Sequence, residues 1–389
     1  MFNFSTLPPL SLYIHFPWCV RKCPYCDFNS HEIKGSIPES KYIDALIRDL
    51  ENDLPLVWGR RINTIFMGGG TPGLFSAESL NRLLSELRAR LQFKPDIEIT
   101  LEANPDDLSL EKIKSLADTP VNRLSIGIQS FFEDDLRFMN RAHTAEESIK
   151  CLEYSKQYFD NITIDLIYGL PGMKAEKWHQ NLKSAFEFEV PHISSYALTV
   201  EEKTLLADQI KKGKVQPLDE QRSLEHFEIL VAETEKQGFV QYEISNFGKE
   251  GYFSKHNTSY WLGANYLGIG PSAHSFDGSS RAWNVSNNSK YIKSLTQDQL
   301  PSEKEILTSK NRFNEAIMTG LRTIWGISLA KIESDFGLVY KRDLQKAAQN
   351  FIDTGLLEEK FSLENGKSLC CTQKGKFLAD GIASELFIL

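Results

Sequence analysis

Positive charge is in short supply: 44 Lys and Arg stand against 52 Asp and Glu, a net charge of −8 over 389 residues. A broad nucleic-acid surface needs a basic excess, so none is expected, although one local basic pocket stays open. Cysteine is scarce as well. Six in so long a chain are too few for a disulfide scaffold. No apolar run approaches the roughly 18–20 residues that span a bilayer. Met1–Leu10 carries no Lys or Arg, so the charged n-region of a secretory signal is missing. The expectation is a cytoplasmic protein with no nucleic-acid partner and no integral membrane segment.

What is present is an alternation. Short β-rich runs at Leu12–Phe16, Asn63–Met67, Glu98–Glu102, Arg123–Ile128, Thr163–Ile167 and His192–Leu198 are separated by amphipathic stretches. Ser40–Asp53, Ala77–Leu91, Leu110–Leu116, Ala145–Tyr158 and Glu176–Phe188 read as helices. Six such units predict an α/β fold with parallel strands, apolar on both sides, and crossover helices. An open doubly wound sheet and a partial barrel fit equally well. Either gathers functional groups at the C-terminal ends of its strands, where His15–Cys26, Gly68–Thr71, Glu102, Gln129, Asp165 and Tyr196-Ala197 fall. A further helix is expected at Asp219–Gln237, then a Gly-, Asn- and Ser-rich region. A small C-terminal α+β domain follows, with helices at Asn311–Leu321, Leu329–Phe336 and Arg342–Asp353. Three segments result: 1–240, 241–300 and 301–389.

Three of the six cysteines crowd into one loop, Cys19-x3-Cys23-x2-Cys26. Thiolates are the usual ligands of iron–sulfur clusters. Three of them can hold three irons of a 4Fe–4S cubane and leave the fourth open to a ligand with an amine and a carboxylate. S-adenosylmethionine has both. The competing reading is zinc on the three cysteines plus His15 or His31. Cys151 reads as a small buried side chain, and Cys370 and Cys371 as strand residues. Gly68-Gly69-Gly70-Thr71-Pro72 follows the second strand and fits neither nucleotide-binding fingerprint. Consecutive glycines there let backbone approach a ligand closely.

Together with Leu101–Pro105, Ser125–Phe131, Asn140-Arg141, Asp165–Pro171 and Leu267–Gly270, these segments make the chain resemble the radical S-adenosylmethionine superfamily. Within it the chain is similar to the HemN/HemW group, which contains an oxygen-independent coproporphyrinogen III dehydrogenase and a heme chaperone. The resemblance implies a partial (β/α)6 barrel with a HemN-type C-terminal domain, a 4Fe–4S cluster on Cys19, Cys23 and Cys26, and bound S-adenosylmethionine. It further implies that Tyr13, Gly69, Gly70, Thr71, Glu102, Gln129, Arg141, Asp165 and Ala197 contact S-adenosylmethionine.

Within the group, three features point to the chaperone. Only 18 residues precede Cys19. Asp27-Phe28 follows Cys26 where the dehydrogenase has Gly and a fourth cysteine. His256-Asn257-Thr258-Ser259-Tyr260-Trp261 matches a signature linked to heme binding. On a helix His256 and Tyr260 share one face, and imidazole and phenol are both axial ligands for heme iron. The competing reading is a buried, hydrogen-bonded histidine beside a packed Tyr and Trp. His274 is a second candidate. The function implied is delivery of heme to unidentified acceptor proteins, with an electron donor for the cluster. The alternative is porphyrinogen decarboxylation or another radical reaction.

Overall fold

A computed structural model describes residues 9–57, 59–297, 299, 302–363 and 366–388. Met1–Pro8, which bear on the signal-sequence reading, lie outside the described residues. Aliphatic and β-branched runs form the six parallel strands where the sequence predicts them. They are β1 (Leu10–Phe16), β2 (Arg61–Gly69), β3 (Gln92–Ala103), β4 (Arg123–Gln129), β5 (Ile162–Tyr168) and β6 (His192–Ala197). The strands pair in that order, with Ile14 beside Met67 and Asp165 beside Ser194.

Alternation along each strand sorts its side chains onto two faces. Leu12, Ile14, Ile65, Met67, Leu101, Leu124, Ile126, Ile164 and Ile193 are fully or almost fully buried on one face. Helices α1 (Glu39–Val57), α2 (Ala77–Arg90), α3 (Leu110–Ala117), α4 (Ala145–Ser155) and α5 (Ala175–Glu187) cover that face. Local signals start them: the Ser76 and Ser109 hydroxyls cap α2 and α3, and Thr144 with Glu147 makes a capping box on α4. The other face departs from the expectation of strands apolar on both sides. It carries Tyr13, His15, Glu102, Arg123, Ser125, Thr163, Asp165, His192 and Ser194. The sheet curls around a cavity rather than packing on a second layer, so these positions need polar groups.

The region after residue 240 extends the same sheet. Strand β7 (Val240–Glu243), at the sheet's edge, pairs antiparallel with β8 (Asn246–Gly248), which adds antiparallel to β6. After α6 (Lys255–Trp261), β9 (Tyr266–Ile269) returns to pair parallel with β1, placing Leu267 beside Leu12. Next come β10 (His274–Phe276), β11 (Ser280–Asn284) and β12 (Ser302–Ile306), all antiparallel. Among the described residues the sheet has twelve strands, ending at β12 and β7 and therefore unclosed. A buried carboxylate ties α1 to this return: Asp49 Oδ2 accepts from the Gly270 amide at 2.9 Å, Asn284 Nδ2 at 2.9 Å and Tyr291 Oη at 2.5 Å.

Residues 309–388 pack around their own core of Phe313, Ile317, Leu321, Leu344 and Leu369. Helices and a three-stranded antiparallel sheet build this unit. Arg322 clamps it to the barrel, pairing with Glu243 at 3.0 Å and Asp380 at 2.7 Å and lying 5.2 Å over Trp261. No helix among the described residues is long and apolar enough to cross a membrane.

Candidate functional site

The three-cysteine loop hangs from the C-terminal end of β1. Cys19, Cys23 and Cys26 are free, partly buried thiols. Each faces a polar neighbour. Thr71 Oγ1 donates to Cys19 Sγ at 3.5 Å, Arg141 Nη1 to Cys23 Sγ at 3.5 Å, and Ser30 Oγ lies 3.9 Å from Cys26 Sγ. Burial holds the Cys19 and Cys26 thiols above the ordinary range, so a metal bound by them would displace protons. Both ring nitrogens of His15 are engaged: Nδ1 meets Tyr13 Oη at 3.0 Å and Nε2 the Asn29 carbonyl at 2.9 Å. His31 is exposed. No three His, Cys, Asp or Glu side chains among the described residues converge as on a single metal ion. With His15 engaged elsewhere, the donor set of this loop is three thiols, which fits the three-thiolate seat of an iron–sulfur cluster.

The glycine strip at the end of β2 abuts this loop. Gly69 has φ +108°, and a Cβ there would come within 2.3 Å of the His15 ring. A Cβ on Gly70 would meet the Trp18 carbonyl at 2.5 Å, while the Gly70 and Thr71 amides donate to Phe16 and Trp18. Glu102, at the end of β3, accepts from the Gly69 amide at 3.0 Å. Burial, helped by Asp165, pushes its carboxyl up to about 8. Burial likewise lifts Asp165 to about 7, against a Ser194 hydrogen bond and the charges of Arg141 and Arg123. Both are poised to meet hydroxyl groups as neutral or charged partners. Arg141 Nη2 donates to the Gly127 carbonyl at 2.9 Å and to Asn104. Gln129, at φ +66°, ends β4, and Ala197 ends β6 opposite Tyr168.

Tyr13, Gly69, Glu102 and Asp165 open onto a cavity of about 1170 Å³. Gly70, Thr71 and Arg141 stand along the cysteine loop beside it, and Gln129 turns back toward Gly127. Tyr260, Trp261 and His274 also line the cavity, and Trp325 and Phe336 of the C-terminal unit complete it. His256 does not line it. Its ring is buried, stacked 5.0 Å from Phe66, with Nδ1 at 2.8 Å from Thr64 Oγ1 and Nε2 at 2.9 Å from Tyr260 Oη. Burial lowers its pKa to about 3. His274, in contrast, is exposed, stacked 5.9 Å from Trp283, and neither ring nitrogen has a partner among the described residues.

Sequence reading alone missed Asn104, which bridges Arg141 and Thr71, and the whole C-terminal wall. Asn104 lies in the Leu101–Pro105 segment, so its signal was adjacent to Glu102. The wall residues, among them Arg312, Trp325 and Lys331, offered no motif.

The radical SAM superfamily profile matches residues 13–185, and the HemN C-terminal domain profile residues 307–378. The chain is 37% identical to the heme chaperone HemW of Haemophilus influenzae over 98% of both chains. It is 34% identical to that of Bacillus subtilis, covering 96% of this chain and 97% of the relative. In structure it resembles coproporphyrinogen III oxidase (HemN) from Escherichia coli, a radical SAM enzyme, with a TM-score of 0.82 at 24% identity over 97% of this chain and 90% of that one. The sheet order, the cysteine loop and these likenesses agree: the chain belongs to the HemW family of radical SAM proteins.

Proposed function

We propose that this protein binds heme in the cavity beneath its C-terminal unit and passes it to acceptor proteins in the cytoplasm. The observation that carries the reading is the cavity itself. At about 1170 Å³ it exceeds the roughly 300–1,000 Å³ of ordinary small-molecule sites. Its aromatic wall (Phe66, Tyr260, Trp261, Phe276, Trp325, Phe336) suits a large planar ring. The relatives named heme chaperone HemW support the same ligand. His274 is the axial-ligand candidate best supported. Although exposed, its ring is partly enclosed by the cavity wall, and that enclosure together with the Arg281 charge lowers its pKa, favouring the neutral imidazole that binds iron.

Family membership implies a 4Fe–4S cluster and S-adenosylmethionine. In this reading Cys19, Cys23 and Cys26 hold the cluster, which when bound supplies one electron from an outside donor to the sulfonium. Tyr13, the Gly69–Thr71 strip, Glu102, Gln129, Arg141, Asp165 and Ala197 orient S-adenosylmethionine at the same mouth. Residues 1–240 then carry the cofactors, 241–300 the heme-facing strands, and 301–389 the cover.

The test is anaerobic reconstitution followed by iron and sulfide analysis, heme titration and product analysis with coproporphyrinogen in one sample. Stoichiometric heme without porphyrinogen turnover is expected. Turnover with S-adenosylmethionine and no heme binding would replace this reading with the dehydrogenase one.

A further inference from the structure

Heme carries two propionates on one edge, and burying that edge without cations is costly. The cavity wall holds carboxyls on the sheet, Glu102 and Asp165, and cations on the elements that complete it, Arg281, Arg312 and Lys331. These cations are not equally free. Arg281 is paired with Glu315 at 2.9 Å. On the sheet side, Arg123 donates to Asn161 and Thr163 and is spent there. Arg312 has no ion-pair partner among the described residues. Its guanidinium lies 5.8 Å over the Phe336 ring, and its Nε is buried without a hydrogen-bond partner among those residues. Its two terminal nitrogens also have no hydrogen-bond partner among the described residues, so the guanidinium fork facing the cavity is left for a bound acceptor. Lys331 is exposed, and its ammonium also lacks an ion pair among the described residues. It sits 3.9 Å from where a Cβ on Gly263 would stand, beside the turn that follows α6. The nearby carboxylates do not claim either cation. Glu315 holds Arg281, and Asp335 accepts from Ser334 at 2.7 Å.

The geometry points to Arg312 and Lys331 as the anchor for the heme propionates, so that the C-terminal unit grips the carboxylate edge of the ring. This rests on the heme reading above. It makes the C-terminal unit a selector for tetrapyrroles with free carboxylates.

The reconstituted full chain is titrated with hemin and, in the same detergent buffer, with hemin dimethyl ester, whose propionates are masked. Arg312→Gln is expected to weaken hemin about tenfold, as for loss of one charge-assisted contact, and to leave the diester unchanged. Lys331→Gln, at an exposed site, costs about threefold. Arg312→Lys restores part of the loss, since charge is kept and the fork is not. Circular dichroism and cluster absorbance stay as in wild type. Equal losses for hemin and diester would make Arg312 a packing residue and overturn the anchor. Unchanged hemin binding in the double variant would overturn it while the heme reading stands. A wild type that binds neither ligand would overturn both.

Discussion

Arg141 reaches the cysteine loop from 118 positions further along the chain, its Nη1 donating to Cys23 Sγ at 3.5 Å while Nη2 holds the Gly127 carbonyl at 2.9 Å. One side chain thus joins the loop after β1 to the end of β4. Arg141→Ala is expected to weaken S-adenosylmethionine by about 1.5–3 kcal/mol, tenfold or more. Anaerobic calorimetry on the reconstituted protein measures this. Affinity equal to wild type would remove Arg141 from the site.

Replacing Cys19, Cys23 or Cys26 by Ser should each abolish the air-sensitive cluster. Iron and sulfide analysis with visible absorption reads the outcome. Stoichiometric zinc and no iron in anaerobically purified wild type would contradict it.

At Gly70 an added methyl meets backbone carbonyls of Trp18 and Phe16, neither of which can swing away. Gly70→Ala is expected to cost about 1–3 kcal/mol and to displace the cysteine loop, lowering retained iron. Gly381→Ala is the control. It sits in the helix Ala379–Glu385 with nothing within 4 Å of the new Cβ, and should gain about 0.5–1 kcal/mol. Thermal melts and iron analysis of the two variants decide it. Equal melting and iron content would show that the close approach is dispensable.

The six parallel strands were readable because each carries an apolar face of alternating residues, and the first five are each followed by a helix. So were the cysteine loop and the glycine strip, whose chemistry is local in sequence. Pairing over distance was not readable. Nothing in Tyr266–Ile269 says that it lies against Leu12, because strand order is decided by what the whole sheet can cover. The polar face escaped notice for a related reason: Tyr13, Ser125, Thr163 and Ser194 look like scattered polar residues until the curl aligns them. His256 illustrates the opposite limit. Its spacing to Tyr260 correctly put the two on one helix face, yet Thr64, far off in sequence, takes the remaining nitrogen.

His256 and His274 should therefore fail differently. His256→Ala removes two side-chain hydrogen bonds and a stacked ring, and should destabilise the fold by about 2–3 kcal/mol. His274→Ala should leave stability unchanged and alter the heme spectrum more than the affinity, since ring burial provides most of the binding. Melting curves and heme spectra of both variants separate the roles. A spectral change confined to His256→Ala would reverse the assignment.

Asp49 predicts a pH dependence. Burial raises its carboxyl from 3.8 to about 7, against hydrogen bonds from Tyr291, Gly270 and Asn284. The native state then binds this proton more tightly than the unfolded chain does. Its contribution to stability is full below about pH 4 and is lost as pH rises through about 7. Asp49→Asn should flatten the melting temperature across that window. A wild type whose stability rises from pH 5 to 8 by the same amount as the variant's would exclude Asp49 as the cause.

Because β1 is flanked by β9, the strand that carries the cysteine loop gains one of its two neighbours only after residue 269 has been made. At about 5–20 residues per second, that is roughly ten to fifty seconds after β1 leaves the ribosome. For that interval the loop stands at a raw sheet edge, with Gly270 not yet packed on the His15 backbone. Completion of the sheet around the three-cysteine loop is thus late, although Cys19, Cys23 and Cys26 are among the first residues synthesised.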